Sequence, residues 1–238
     1  GDFVNAAVAV FVAGVMDGLD GRVARLTGTS SEFGVQYDSL ADLVSFGMAP
    51  ALVMYHWSLS SLKFDGDVLG RIGWLAAFLY AACAALRLAR FNTQVGTVDK
   101  RWFQGLPSPA AAALVTGFIW LLSDAGVQRG QDGLLTWSQL SWVMFGLTLY
   151  AGLTMVTNAP FYSFKDLHLK RSVPFTAIVL IVLGIAIINI HAPTVLFSIF
   201  VAYGLSGYGV YAWRRAKGYR ASVISTSKDE PEERGLHE

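Results

Sequence analysis

Seven apolar runs, each near the roughly 20 residues a helix needs to cross a bilayer, recur along this 238-residue chain. They fall near residues 3–25, 35–58, 70–90, 107–123, 137–157, 173–190 and 194–213. Short polar stretches separate them. Backbone polar groups inside a bilayer must be satisfied within the segment, so unbroken runs of this length predict helices. The expected fold is all-α: a polytopic transmembrane bundle of about seven helices over residues 1–215, followed by a polar cytosolic tail at 216–238. The tail mixes charges without an apolar period and is expected to be disordered. Pro107 and Pro109 mark the opening of a helix, where proline is tolerated.

Composition supports the pattern. The chain is 54% hydrophobic and 15% charged, and its mean hydropathy of +0.47 excludes an ordinary soluble domain. The net charge of +1 says little, but its distribution orients the chain. With the loop after the first helix placed in the cytoplasm, the outer loops carry only Lys63, Arg71 and Arg129 of the 18 basic residues. That is a strong positive-inside bias. Residue 1 then lies outside with no starting Met, so a further N-terminal helix is expected ahead of it. Cys83 is the sole cysteine and reads as a small packing residue; the four histidines lack ligand spacing. Arg214-Arg-Ala-Lys217 reads as a stop and lipid anchor, not a nucleic-acid site.

Polar residues inside the apolar runs carry the candidate chemistry. Asp17, Asp20, Asp38 and Asp42 form two pairs within the first two runs. A carboxylate at mid-bilayer depth costs about 2.5–3.5 kcal/mol, so four would forfeit roughly 10 kcal/mol unless something neutralised them. In a helix the members of each pair lie about 60° and 40° apart, so each pair shares one face. Gly21 and Ala24 continue the first stripe and Gly34 begins the second. Small residues allow close helix approach and leave room for a flat ligand. Facing stripes would gather four hard oxygen donors suited to Mg²⁺ or Mn²⁺, with Ca²⁺ as an alternative occupant. Arg25, one turn past Gly21, suits a phosphate oxygen; alone it would read as a positive-inside anchor, but beside four aspartates and paired glycines the functional reading prevails.

The pattern Asp17-x-x-Asp20-Gly21-x-x-Ala24-Arg25, eight residues, Gly34-x-x-x-Asp38-x-x-x-Asp42 resembles the signature of the CDP-alcohol phosphotransferase family at every fixed position. Members are integral membrane enzymes that move a phosphatidyl or similar group from a CDP-linked donor to an alcohol, releasing CMP. Further segments are similar to the branch that joins CDP-diacylglycerol to L-serine. They are Ser31 to Asp42, Ser45 to Ala51, Arg87-Leu-Ala-Arg90-Phe-Asn92, Phe103 to Pro109 and Tyr162-Ser-Phe-Lys165. The likeness runs to about residue 170, and the last two helices look generic.

The resemblance implies that Asp17, Asp20 and Asp38 ligate one or two divalent ions bridging the donor pyrophosphate. It implies that Asp42 joins the metal site and acts as general base. Gly21, Ala24, Arg25 and Gly34 would frame CDP-diacylglycerol, and a homodimer in a prokaryotic inner membrane, with its active site facing the cytoplasm, is expected. Serine brings a carboxylate for which Arg87, Arg90, Asn92 and Lys165 are candidates; each cation reads alternatively as an anchor to anionic lipid. Two rivals stand beside this reading. Another acceptor, such as glycerol 3-phosphate or an inositol phosphate, would keep the family. A cation transporter would spread its acidic residues along a transmembrane route, which the clustering argues against.

Overall fold

The computed structural model describes residues 2–28, 31–93, 102–133, 135–162 and 175–217. The first pass is α1 (Phe3–Thr27). Asp2 caps it by accepting the Asn5 backbone N–H at 3.1 Å, and Gly28, in the left-handed region at φ 65°, ends it. The second pass runs without a break through α2 (Glu32–Asp42), a π-helical segment (Leu43–Met48) and α3 (Ala49–Trp57). Ser31 caps it through a 3.0 Å bond from the Gly34 N–H. A 3₁₀ segment (Leu59–Asp65) leads into α4 (Asp67–Thr93). Then come β1 (Trp102–Gln104), α5 (Ser108–Asp124), α6 (Trp137–Val156), β2 (Pro160–Tyr162), α7 (Phe175–Ile190) and α8 (Ala192–Ala216).

Each of the seven expected apolar runs therefore falls on a helical pass. Among the described residues four helices are long and apolar enough to cross a membrane: Phe3–Ala24, Asp67–Thr93, Trp137–Val156 and Ala192–Ala216. The protein is an all-α integral membrane bundle. Large apolar side chains such as Leu52, Trp74, Phe78, Leu183 and Ile199 face outward. A soluble protein would leave so many exposed only at cost, whereas lipid is their natural solvent.

The core lies where α4, α5 and α6 meet the second pass, with Met54, Trp57, Tyr80, Leu114, Ile119, Met144 and Met155 all at or below 2% exposure. Ala110, Ala111, Ala112 and Ala113 are buried in succession, so α5 is wrapped on all sides. It has α1, α6 and α8 as neighbours. Four consecutive alanines permit that crowding because they hold neighbouring backbones apart by only a methyl group.

The π segment has a readable cause. In an uninterrupted helix the Phe46 carbonyl would accept from residue 50, but Pro50 has no N–H, and its ring crowds the carbonyl four residues earlier. The turn widens: the Ala49 N–H bonds the Val44 carbonyl, five residues back. Tyr80, wholly buried on α4, donates its hydroxyl to the Phe46 carbonyl at 3.0 Å. The group that Pro50 leaves without a partner is thereby satisfied.

At the aspartate end, β1 and β2 form an antiparallel pair with Trp102 opposite Tyr162, Phe103 opposite Phe161 and Gln104 opposite Pro160. A helix-only reading did not anticipate it, since three residues per strand leave no period-2 signal. Gly105, at φ 77°, turns the chain back so that its N–H meets the Ala159 carbonyl at 2.9 Å. The Leu106 N–H meets the Thr154 carbonyl at 3.1 Å, satisfying one of the orphan carbonyls at the end of α6. The Phe161 ring, fully buried, lies over Gly207 of α8.

Candidate active site

Helix α1 supplies Asp17 and Asp20, and α2 supplies Asp38 and Asp42, from faces that meet as the spacing predicted. One carboxylate oxygen from each of Asp17, Asp20 and Asp38 lies within 4.8 Å of the others. Asp42 makes a side-chain hydrogen bond with Asp17 and has Asp38 as an electrostatic neighbour. All four acidic groups thus converge. Two carboxyl groups tolerate such contact only with a proton or a cation between them.

The donor set fits a hard divalent cation. Oxygens bound to Mg²⁺ at about 2.1 Å are at most about 4.2 Å apart, and those around Ca²⁺ span up to about 5 Å. A spread within 4.8 Å is close enough for small side-chain movements to bring the three oxygens onto one such ion. Asp17 is half-buried whereas Asp20 and Asp38 are exposed, so the cluster opens on one side. Gly21 and Ala24 sit half-buried on the α1 stripe. Gly34, in the first turn of α2, is exposed and donates to its cap. Arg25 has a helical backbone in α1, but its side chain lies outside the described part, as does Lys165 entirely.

The three candidates on α4 separate by role. Arg87 interacts electrostatically with Asp42 and Tyr203 and donates from Nη1 to the Ser108 hydroxyl at 2.6 Å. Its Nε is buried, with no hydrogen-bond partner among the described residues. Arg90 turns toward α6: Nη2 donates to Asn158 Oδ1 at 2.6 Å and Nη1 to the Val156 carbonyl at 3.3 Å. Gln104 donates to the same Asn158 oxygen at 2.6 Å, so Arg90 ties α4 to both the end of α6 and β1. Asn92 donates to Ser39 Oγ at 3.1 Å, beside Asp38.

Sequence reasoning missed Ser108, Tyr203 and Asn158. Ser108 had a signal: between two prolines, it opens α5 directly below Arg87. Tyr203 had none, since a tyrosine in an apolar helix reads as an interfacial anchor. Asn158 stands in a loop without a motif.

A family model described as CDP-alcohol phosphatidyltransferase matches residues 1–156, a span that includes all four aspartates. The chain belongs to that family. Such enzymes generally depend on divalent cations, in keeping with the acidic cluster. Among its curated relatives, a CDP-diacylglycerol–serine O-phosphatidyltransferase of Helicobacter pylori is 36% identical over 204 residues, covering 85% of this chain and 79% of the relative. The Mycobacterium leprae protein of that name is 41% identical over 145 residues, or 58% of this chain and 45% of the relative. The one from Methanocaldococcus jannaschii is 39% identical over 121 residues, covering 51% and 53% respectively. The match to the family model stops at the end of α6, so α7 and α8 lie beyond the family's shared part.

Proposed function

We propose that this membrane protein transfers the phosphatidyl group of CDP-diacylglycerol to the hydroxyl of L-serine, giving phosphatidylserine and CMP. The observation that carries the reading is the convergence of Asp17, Asp20 and Asp38, with Asp42 beside them, at an open-sided cluster. The names of the relatives support serine as the acceptor.

Asp17, Asp20 and Asp38 hold one or two Mg²⁺ or Mn²⁺ ions, with Ca²⁺ as an alternative occupant and Asp42 at the edge of the site. A divalent cation held by these carboxylates would supply charge neutralisation for the pyrophosphate and the departing CMP. Asp42 accepts the proton of the serine hydroxyl as its oxygen attacks phosphorus, the new O–P bond forms, and the bond to the CMP oxygen breaks. Gly21, Ala24 and Gly34 leave space for the nucleotide, and Arg25 holds a phosphate oxygen. The acyl chains lie in the bilayer against the outward apolar faces.

Arg87 seats the serine carboxylate. Its guanidinium has Asp42 as an electrostatic neighbour and its Nε has no hydrogen-bond partner among the described residues, so a planar bidentate anion would find an unspent donor there. Arg90 and Asn92, engaged with Asn158 and Ser39, brace the end of α4 around that seat. Lys165 is a further candidate cation for that carboxylate. The protein works as a homodimer in a prokaryotic inner membrane, with the site facing the cytoplasm. The test is CMP release from CDP-diacylglycerol micelles with serine. It should cease with a chelator and return with excess Mn²⁺ or Mg²⁺. Turnover indifferent to chelation would overturn the metal-assisted reading.

A further inference from the structure

Helix α4 runs along the second pass with Tyr80, Ala84 and Arg87 on one face at positions i, i+4 and i+7. Tyr80 bonds the Phe46 carbonyl, Ala84 abuts Gly47, where an added Cβ would come within 3.1 Å of it, and Arg87 reaches Asp42. The first two contacts fall on the π segment and the third on the aspartate that precedes it. That segment begins one residue after Asp42. A π turn inserts one residue into the helical count, rotating everything on one side of it by about 100° relative to the other. The direction in which Asp38 and Asp42 point, relative to the well-packed α3 below, is therefore set by whether that wide turn is kept.

We propose that Tyr80 is a positioning residue for the metal site: its hydroxyl, by taking the Phe46 carbonyl that Pro50 cannot serve, locks the π turn that aims Asp38 and Asp42 at Asp17 and Asp20. Three observations meet in it. Pro50 removes the regular partner, the Ala49-to-Val44 bond shows the widened ladder, and Tyr80, at 0% exposure, spends its hydroxyl on that carbonyl. A tyrosine kept only for bulk would be replaceable by phenylalanine; here the buried oxygen has a defined task. Tyr80 touches neither substrate nor ion. It acts through the backbone and leaves the carboxylates to bind.

The inference rests on the proposed metal site, and the experiment separates the two. The purified full chain in detergent, without substrate, is titrated with Mn²⁺ while its unfolding temperature is recorded, and CMP release is titrated in parallel. Wild type should show an ion-dependent rise in unfolding temperature. In Tyr80→Phe the half-saturating Mn²⁺ concentration should rise about tenfold in both measurements, the scale on which groups supporting ligands act. The KM for CDP-diacylglycerol at saturating ion should stay within about twofold. Pro50→Ala, which restores an N–H to the Phe46 carbonyl and lets the turn narrow, should raise the ion requirement similarly. Adding Tyr80→Phe to it should then change little more, because the carbonyl no longer needs the hydroxyl. If Tyr80→Phe fails to fold, Pro50→Ala carries the same expectation. An unchanged Mn²⁺ response in the variant that folds overturns the positioning role while leaving the metal site standing. Absence of any ion response in wild type overturns the metal site, and this inference with it.

Discussion

Arg87 on α4 donates its Nη1 hydrogen to the hydroxyl of Ser108 at 2.6 Å, fastening a buried guanidinium to the first residue of α5. That bond holds the cation near Asp42 while its Nε has no partner among the described residues. Arg87→Ala should raise the serine KM by about 10–100-fold, since a hydrogen bond to a charged group is worth about 1.5–3 kcal/mol. Ser108→Ala should act in the same direction by a smaller factor. The KM for CDP-diacylglycerol should hardly move in either, and steady-state kinetics with each substrate varied checks this.

Asp42 and the other three aspartates should fail differently. Asp42→Asn keeps an oxygen beside Asp17 but loses the base, so turnover should fall by about 10²–10⁴-fold, with ion-dependent stabilisation largely retained. Asp17→Asn, Asp20→Asn or Asp38→Asn removes a charge from the triad, and the response to Mn²⁺ should itself disappear. Thermal unfolding with and without the ion, beside CMP release, distinguishes the two classes.

Arg90 should matter for stability more than for serine. Its fork is occupied by the Val156 carbonyl and Asn158. Arg90→Ala leaves those two acceptors with fewer partners and should cost about 1–3 kcal/mol. Asn158→Ala should produce a similar loss. For both, serine KM should stay within about twofold, measured at a temperature where the variants remain folded.

Gly105 and Gly126 offer a matched comparison. Both have positive φ, 77° and 82°, so alanine is strained at either. At Gly105 a Cβ would come within 2.2 Å of the Met155 carbonyl oxygen, whereas at Gly126 nothing lies within 4 Å. Gly126→Ala should cost about 1 kcal/mol from backbone strain alone. Gly105→Ala should cost well over 2 kcal/mol and displace the strand pair from α6. Unfolding in detergent gives both values on one scale.

The sequence made some of this architecture plain and hid the rest, for reasons visible in single residues. Apolar runs announce passes because a bilayer demands their length, and Asp17, Asp20, Asp38 and Asp42 announce a site because charge in an apolar run is costly. Helical spacing then placed each pair on a face, and the faces do meet. What stayed hidden depends on contacts between distant segments. Arg87 and Arg90 look alike in sequence, one turn apart. Only the packing of α5 under one and of α6 beside the other sends the first toward Asp42 and the second toward Asn158. The π turn was half-legible: Pro50 four residues after Phe46 signals an orphaned carbonyl, but its partner Tyr80 lies 34 residues on. Tyr203 reaches Arg87 from α8, beyond the part shared with the family model, where no motif points to it.

The most direct test is CMP release from CDP-diacylglycerol by the purified chain with Mn²⁺, compared across L-serine, glycerol 3-phosphate, myo-inositol 1-phosphate and no acceptor. Release driven by serine alone, with phosphatidylserine as the lipid product, is the predicted result. Release driven by a phosphorylated alcohol, with serine inert, would contradict the assigned acceptor.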